Sequence, residues 1–334
     1  MRVDIDQWDP SYGTAFEADG GPQAQSSAQV EPAVELPPNA WRAIDAPTTV
    51  TPPDVVLLVD GVQRIDTRAW ITDDEGETHL GLAASYAAGV VHCDLRRGVA
   101  ELATARIERG LFTACTTAPA MQAGSVRYPA LRVGRGEPKD LQLGLQRHLR
   151  ALEVAVSNAV RDTDDDLLVV DGPLQERAHL PRALGYVKSH HKTYLPPELS
   201  TVVVGLRSGQ RCPVFLLGTN WHRYAWYLRL PGPPGSPWAG IVRAECSADL
   251  DPAAAIALAN LSLATLPRFA SAAYKDPRAP QNLVPIAGLE RRLRAMLGDA
   301  RLLHRALTLA SRRPSLTQPS GASARSSAAA VVSS

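Results

Sequence analysis

Two unbroken apolar runs, Val55-Val56-Leu57-Leu58-Val59 and Leu167-Leu168-Val169-Val170, stand out from an otherwise mixed pattern. Continuous β-branched and leucine runs of this length predict strands buried on both faces. Each run is closed by the same dipeptide, Asp60-Gly61 and Asp171-Gly172. After the first, the turn signal Asp73-Asp74-Glu75-Gly76 precedes a second apolar stretch over residues 80–93, so an antiparallel hairpin should continue the sheet. A third strand is expected over residues 99–115. From Leu145 the period changes: Leu145, Leu149, Leu152, Val156 and Val160 share one narrow stripe at helical spacing, which predicts an amphipathic helix ended by the acidic residues 162–166.

Further strands are expected at 201–206, 214–217, 224–230 and 240–245. Asp251-Pro252 places an N-cap and a first-turn proline ahead of an Ala/Leu-rich helix. A last helix should run from about Leu289 into an arginine-rich stretch. The order is strands, helix, strand, and the class is α/β with a mixed sheet flanked by helices. Residues 1–50, rich in Pro, Gly, Ala and Gln, read as a flexible segment; 51–308 read as one domain; 309–334, Ser/Ala-rich, read as a mobile low-complexity tail.

Hydrophobic residues make up 45% of the 334-residue chain, enough for a large core. Lys and Arg total 35 against 34 Asp and Glu, a net charge of +1, so any surface for a polyanion must be a local patch. The four cysteines, Cys93, Cys115, Cys212 and Cys246, are dispersed without a C-x-x-C pair, which argues against a zinc knuckle or a disulfide framework and for reduced, buried thiols. The lack of a long apolar run and of a signal-peptide core predicts a cytoplasmic protein with no membrane span. No P-loop is present, so the chain is not expected to hydrolyse nucleoside triphosphates itself.

Either Asp-Gly taken alone is an ordinary turn dipeptide. Two copies, each after a buried strand, put carboxylates where open sheets carry their active sites. Glu153 is the third candidate. At 100° per residue the stripe of the first helix spans about −20° to 60° and Glu153 falls at about 80°, on the border of the buried face. A carboxylate there must be solvated, paired or metal-bound. Three carboxylates from a strand, a helix and a later strand supply hard oxygen ligands for Mg²⁺ or Mn²⁺, the requirement of metal-assisted phosphodiester cleavage. A metal-free acid–base pair, as in a glycosidase, uses the same residue types.

The first strand-Asp-Gly, a helix carrying Glu153, and the second strand-Asp-Gly-Pro-Leu 18 residues later (171 − 153), followed by Gly185-Tyr186-Val187-Lys188, resemble the NurA family of nucleases over roughly residues 50–305. That resemblance implies a ribonuclease H-like core and Mn²⁺- or Mg²⁺-dependent cleavage of DNA in end processing and double-strand break repair. It also implies a homodimer and a hexameric HerA-like ATPase as partner. Carried over residue by residue, Asp60, Glu153 and Asp171 are the metal-binding catalytic carboxylates and Lys188 is a catalytic basic position. The family closes with Gly-Tyr-Pro and a later Ala-His pair; here the stretch is Arg278-Ala279-Pro280-Gln281-Asn282-Leu283-Val284-Pro285-Ile286-Ala287, with the proline and leucine but neither the tyrosine nor the histidine. Asp276, Arg278 or Asn282 could stand in for them. Alternatively the chain is a catalytically weakened ribonuclease H-like DNA-binding or partner-docking protein.

Four other features carry less weight. Residues 221–229 alternate aromatic and basic side chains, which suits sheet core with snorkelling arginines or base stacking. Lys188-Ser189-His190-His191-Lys192 reads as a polar or phosphate-contacting loop. Arg243 and Glu245 share a strand face and should pair, with Glu245 a minor candidate for the metal site. Arg291, Arg292, Arg294, Arg301 and Arg305 form a solvated helix face that is also the best basic patch in the sequence.

Overall fold

A computed structural model describes residues 28–311 apart from 162, 164, 191–193, 220 and 234. Most of both expected tails, 1–27 and 312–334, and part of the acidic loop therefore lie outside the described residues. In chain order the first strands are β1 (Gln29–Glu31), β2 (Ile44–Asp45), β3 (Val55–Thr72), β4 (Thr78–Asp94), β5 (Val99–Thr113), β6 (Met121–Ala123), β7 (Val126–Tyr128) and β8 (Ala130–Arg132). Helix α1 (Pro138–Ala159) leads to β9 (Leu167–Asp171), β10 (Ala183–Val187) and α2 (Pro197–Val204). Then come β11 (Gln210–Arg211), β12 (Phe215–Gly218), β13 (His222–Arg229), β14 (Ile241–Ser247), α3 (Pro252–Thr265), α4 (Val284–Met296) and α5 (Ala300–Ser311).

The main sheet has the order β1-β12-β13-β14-β10-β9-β3-β4-β5-β8. Within it β3, β4 and β5 form an antiparallel meander, and after the α1 crossover β9 returns parallel to β3 on its other side, with β10 parallel to β9. This is the ribonuclease H-like mixed sheet, flanked by helices, that the resemblance implied. The alternating side chains of β3 fill two cores. Leu57 and Val59 pack with Leu145, Leu152 and Val156 of α1; Val56 and Leu58 face the core shared with Ile286, Leu289 and Leu293 of α4. Burying each such side chain contributes about 1.5–3 kcal/mol, so both helices are held firmly to the strand that carries Asp60.

Three expectations are corrected. Asp60 does not end its strand: β3 runs on to Thr72, because β4 keeps supplying partners from Gly89 opposite Asp60 down to Thr78 opposite Thr72. Residues 201–206 are not a strand. Pro197 sits in the first turn of α2, and Leu199 and Val203, four apart, point together into the core, so packing overrides the β-branched run. The arginine-rich end is two helices, broken at Gly298 with φ +82°.

Ordered structure also begins before residue 51. β1 pairs with β12, β2 pairs with β11, and Trp41 packs into the core against Phe215. Glu35 accepts from both terminal nitrogens of the buried Arg211 at 2.7 and 2.8 Å and from the Val214 amide at 2.8 Å. Removing one partner of a buried ion pair strands the other charge. Glu35→Ala is therefore expected to lower unfolding free energy by about 3 kcal/mol, read from urea denaturation; an unchanged midpoint would show that this segment does not brace the sheet.

Candidate metal centre

The parity of the strands decides which carboxylates meet. Asp60 lies on the same face of β3 as Val56 and Leu58, and Asp171 on the same face of β9 as Leu167 and Val169. The two strands are neighbours, paired up to Val59 and Val170, so the carboxylates that follow stand side by side. There β9 stops, and Gly172 at φ +108°, a backbone region that favours glycine, turns the chain away. Asp60 is thus left where the sheet loses a strand.

Two glycines bring helices against this point, one from each face. Gly89, opposite Asp60, has no Cβ; one placed there would lie 3.1 and 3.2 Å from methyls of Leu289 and Leu293, so α4 lies close against the strand. The next residue of that helix after Leu289 is Glu290. Oxygens of Asp60, Asp171 and Glu290 all lie within 4.8 Å of one another. On the other face, a Cβ on Gly61 would lie 2.5 Å from Glu153 Oε1, so this glycine admits the α1 carboxylate to the backbone beside Asp60.

The residues singled out in the sequence are thus distributed unequally. Asp60, Asp171 and Lys188 come together; Glu153 borders them across the strand and accepts from the buried Arg177 at 3.2 and 3.3 Å. Lys188 Nζ donates to Asp171 Oδ2 at 2.5 Å and to Asn282 Oδ1 at 3.0 Å, and lies 3.9 Å from Glu290. Asn282 in turn donates to Asp276 at 2.7 Å, and Arg278 donates to Glu290 at 2.6 Å. The three residues considered as stand-ins for the absent Tyr and His therefore form the surround of this cluster.

Glu245 is not among the converging carboxylates. It accepts from Arg223 at 3.0 Å, from Arg243 at 3.4 Å and from the Leu174 amide at 2.8 Å, fixing the corner that follows Asp171. Residues 222–229 are sheet core, with Trp226 and Tyr227 buried, and His190 packs between Tyr227 and Trp238 rather than facing a phosphate. His191 and Lys192 lie outside the described residues. All four cysteines are buried free thiols, and burial pushes Cys93, Cys212 and Cys246 up to about 12.

Glu290 escapes the sequence reading because it opens an arginine run and looks like surface charge. A signal is present nonetheless: it follows Leu289 in a stripe of Ile286, Leu289, Leu293 and Leu297 as Glu153 follows Leu152.

Burial, then the charges of Asp171 and Glu290, hold the Asp60 carboxyl well above the usual carboxylate range, against the opposing pull of Lys188 and the Gly61 amide. Glu153 is raised to about 7 by burial, with Arg177 pulling it down and Asp171 adding to the rise. Gly61 N–H donates to Asp60 Oδ1 at 2.7 Å, while the buried Oδ2 has no hydrogen-bond partner among the described residues. Among the described residues two cations, Lys188 and Arg278, face the carboxylates of Asp60, Asp171, Glu290 and Asp276. An all-oxygen donor set with excess negative charge and an orphaned carboxylate oxygen fits Mg²⁺ or Mn²⁺.

No protein-family model matches the chain, and no curated protein matches it significantly. Among solved structures, the NurA nuclease from Sulfolobus solfataricus superposes with a TM-score of 0.47 at 11% identity, over 80% of this chain and 88% of that one. Endonuclease V from Bacillus subtilis gives 0.32 at 12% identity, over 74% and 85%. The functional reading therefore stands on the side chains described above.

Folded Asp60 keeps its proton to higher pH than an unfolded aspartate, so without metal its ionisation disfavours the fold increasingly as pH rises above about 3.9. In EDTA near neutral pH, Asp60→Asn is expected to stabilise the protein by about 1–3 kcal/mol. The gain should vanish below about pH 4. The same variant should lose any rise in melting temperature that Mn²⁺ gives the wild type. Paired denaturation curves at the two pH values, with and without Mn²⁺, check both statements.

Proposed function

We propose that the chain is a divalent-metal-dependent deoxyribonuclease, with Asp60, Asp171 and Glu290 holding the cation and Glu153 and Lys188 acting beside it. The observation that carries this reading is the convergence of three carboxylates around a buried oxygen, Asp60 Oδ2, that nothing among the described residues satisfies. A bound Mn²⁺ or Mg²⁺ would supply polarisation of the phosphoryl oxygens and a nucleophilic water at neutral pH. Lys188 fixes the Asp171 carboxylate and presents an ammonium to an incoming phosphate; Asn282 fixes Lys188. Glu153, raised to about 7, is able to take up or release a proton at its carboxylate near neutrality.

DNA as substrate, a role in end processing and double-strand break repair, the homodimer and the HerA-like ATPase come from the resemblance to NurA. A catalytically weakened DNA-binding or docking module is the second reading. It is favoured by Lys188, which already gives Asp171 and Glu290 a resident counter-charge, and by the missing Tyr and His.

The two readings part on cleavage. Wild-type protein should cut labelled DNA with Mn²⁺ and not in EDTA. Asp171→Asn should reduce the rate at least about 100-fold, beyond the loss typical of an outer-shell change, with its circular dichroism unchanged. Undiminished cutting by Asp171→Asn would remove that residue from the site; no cutting by the wild type would leave the docking module.

With no P-loop and a net charge of +1 the isolated chain has no motor and weak unaided hold on DNA. Digestion of long duplexes should therefore be poor alone and rise when a HerA-like ATPase and ATP are added; processive digestion by the protein alone would count against that partnership.

A further inference from the structure

Arg291, Arg292 and Arg294 of α4 and Arg301 and Arg305 of α5 are all exposed, and none pairs with a carboxylate among the described residues. Within residues 291–305 the one acid is Asp299, whose carboxylate accepts the Leu302 amide at 2.9 Å as the cap of α5. In a chain whose net charge is +1, five unpaired guanidinium groups on two consecutive helices are a marked segregation of charge.

Their position gives the segregation a direction. Arg294 lies four residues beyond Glu290 on the same helix, about 6 Å along its axis and on nearly the same side. From there the two helices follow β3 away from the carboxylates. Leu289 and Leu293 pack at Gly89, the partner of Asp60; Leu297 and Gly298 carbonyls accept from Arg64; the Asp66 carbonyl lies 3.2 Å from His304 Nδ1; and Leu307 clusters with Ala69 and Ile71. At about 3.3 Å per residue, the nine steps from Asp60 to Ala69 span roughly 30 Å. That equals roughly nine steps of duplex DNA at about 3.4 Å each.

We infer that this row is the track for the substrate's phosphate backbone: DNA lies along α4 and α5 with Arg291, Arg294, Arg301 and Arg305 against successive phosphates, and its scissile bond at Asp60, Asp171 and Glu290. The inference rests on the nuclease reading for what happens at that end, and on charge and spacing for the track itself. Each arginine neutralises a phosphate and releases counterions, so each adds close to one unit to the salt dependence of binding. The arginines nearest the site also offset the repulsion between its carboxylates and the polyanion.

The test uses the full chain carrying Asp171→Asn, in EDTA so that nothing is cut, with a fluorescein-labelled duplex longer than about ten base pairs. Anisotropy titrations across a series of KCl concentrations give the slope of log K against log salt. Adding Arg291→Ala, Arg294→Ala, Arg301→Ala and Arg305→Ala should shrink that slope by about 3 to 4. Arg42→Ala with Arg207→Ala, two exposed arginines elsewhere, should change it by less than about one. Equal melting curves establish that all variants are folded.

A slope unaltered by the fourfold change, or altered as much by the control, overturns the track. So does loss of binding to phosphatidylserine vesicles in the fourfold variant with its DNA slope intact, since the row would then serve a membrane surface. The nuclease reading fails separately: a wild type that cuts nothing with Mn²⁺ sinks it, while the salt slopes still decide whether DNA follows the row.

Discussion

Two carboxylates on neighbouring parallel strands, facing the same way inside the protein, are the constraint around which the rest is arranged. Asp60 and Asp171 follow the last paired residues of β3 and β9, so their separation is set by the sheet and cannot relax by rotating outward. Such a pair in a poorly solvated place stays charged only if something positive is brought to it. The chain supplies part of that charge through Lys188, held in turn by Asn282. It then undoes the relief by directing Glu290 to the same point. A fold selected for stability alone gains nothing from a third carboxylate there. A fold that must hold a divalent cation gains a ligand.

The surroundings support this economy of placement. Gly89 and Gly61 lie on opposite faces, and each removes the Cβ that would hold a helix off the strand, so α4 delivers Glu290 and α1 delivers Glu153 to adjoining backbone positions. The corner after Asp171 is fixed by Glu245 through the Leu174 amide, and Gly185 leaves room for it, since a Cβ there would lie 2.6 Å from that amide and 2.8 Å from Glu245 Cγ. Arg223 and Arg243 neutralise Glu245 inside the sheet. Outer groups of this kind decide how precisely ligands are held.

Much of this is legible in the sequence, for identifiable reasons. The runs 55–59 and 167–170 are apolar on both faces because both strands are covered on both faces, and the stripe of α1 follows from its packing on one of them. Asp60 and Asp171 stand out because each follows such a run. What the sequence hides is set by tertiary context. The length of β3 depends on the small residues of β4 opposite it, and α2 on a proline and two buried side chains outweighing valine's preference. Glu153 lies at the buried border as its angle implies, yet its partner Arg177 comes from the loop after β9 and leaves no periodic trace. Glu290 occupies the same position in its stripe as Glu153 and is obscured by the arginines after it.

Those arginines would also let a chain of net charge +1 serve a polyanion, as proposed. The small total conceals a sorting of charge: carboxylates converge at the strand junction, while guanidinium groups that pair with no carboxylate among the described residues line the helices leading away from it. A phosphate backbone approaching the carboxylates alone would be repelled by them, and a uniformly basic surface would hold DNA without fixing where it is cut. Placing Arg294 one helical turn from Glu290 meets both demands, since part of the attraction that would hold the backbone and one of the acids that would bind the cation then belong to one rigid helix. Any shift of α4 would move both together, so the register between grip and scissile bond is set by the packing of Leu289 and Leu293 on Gly89.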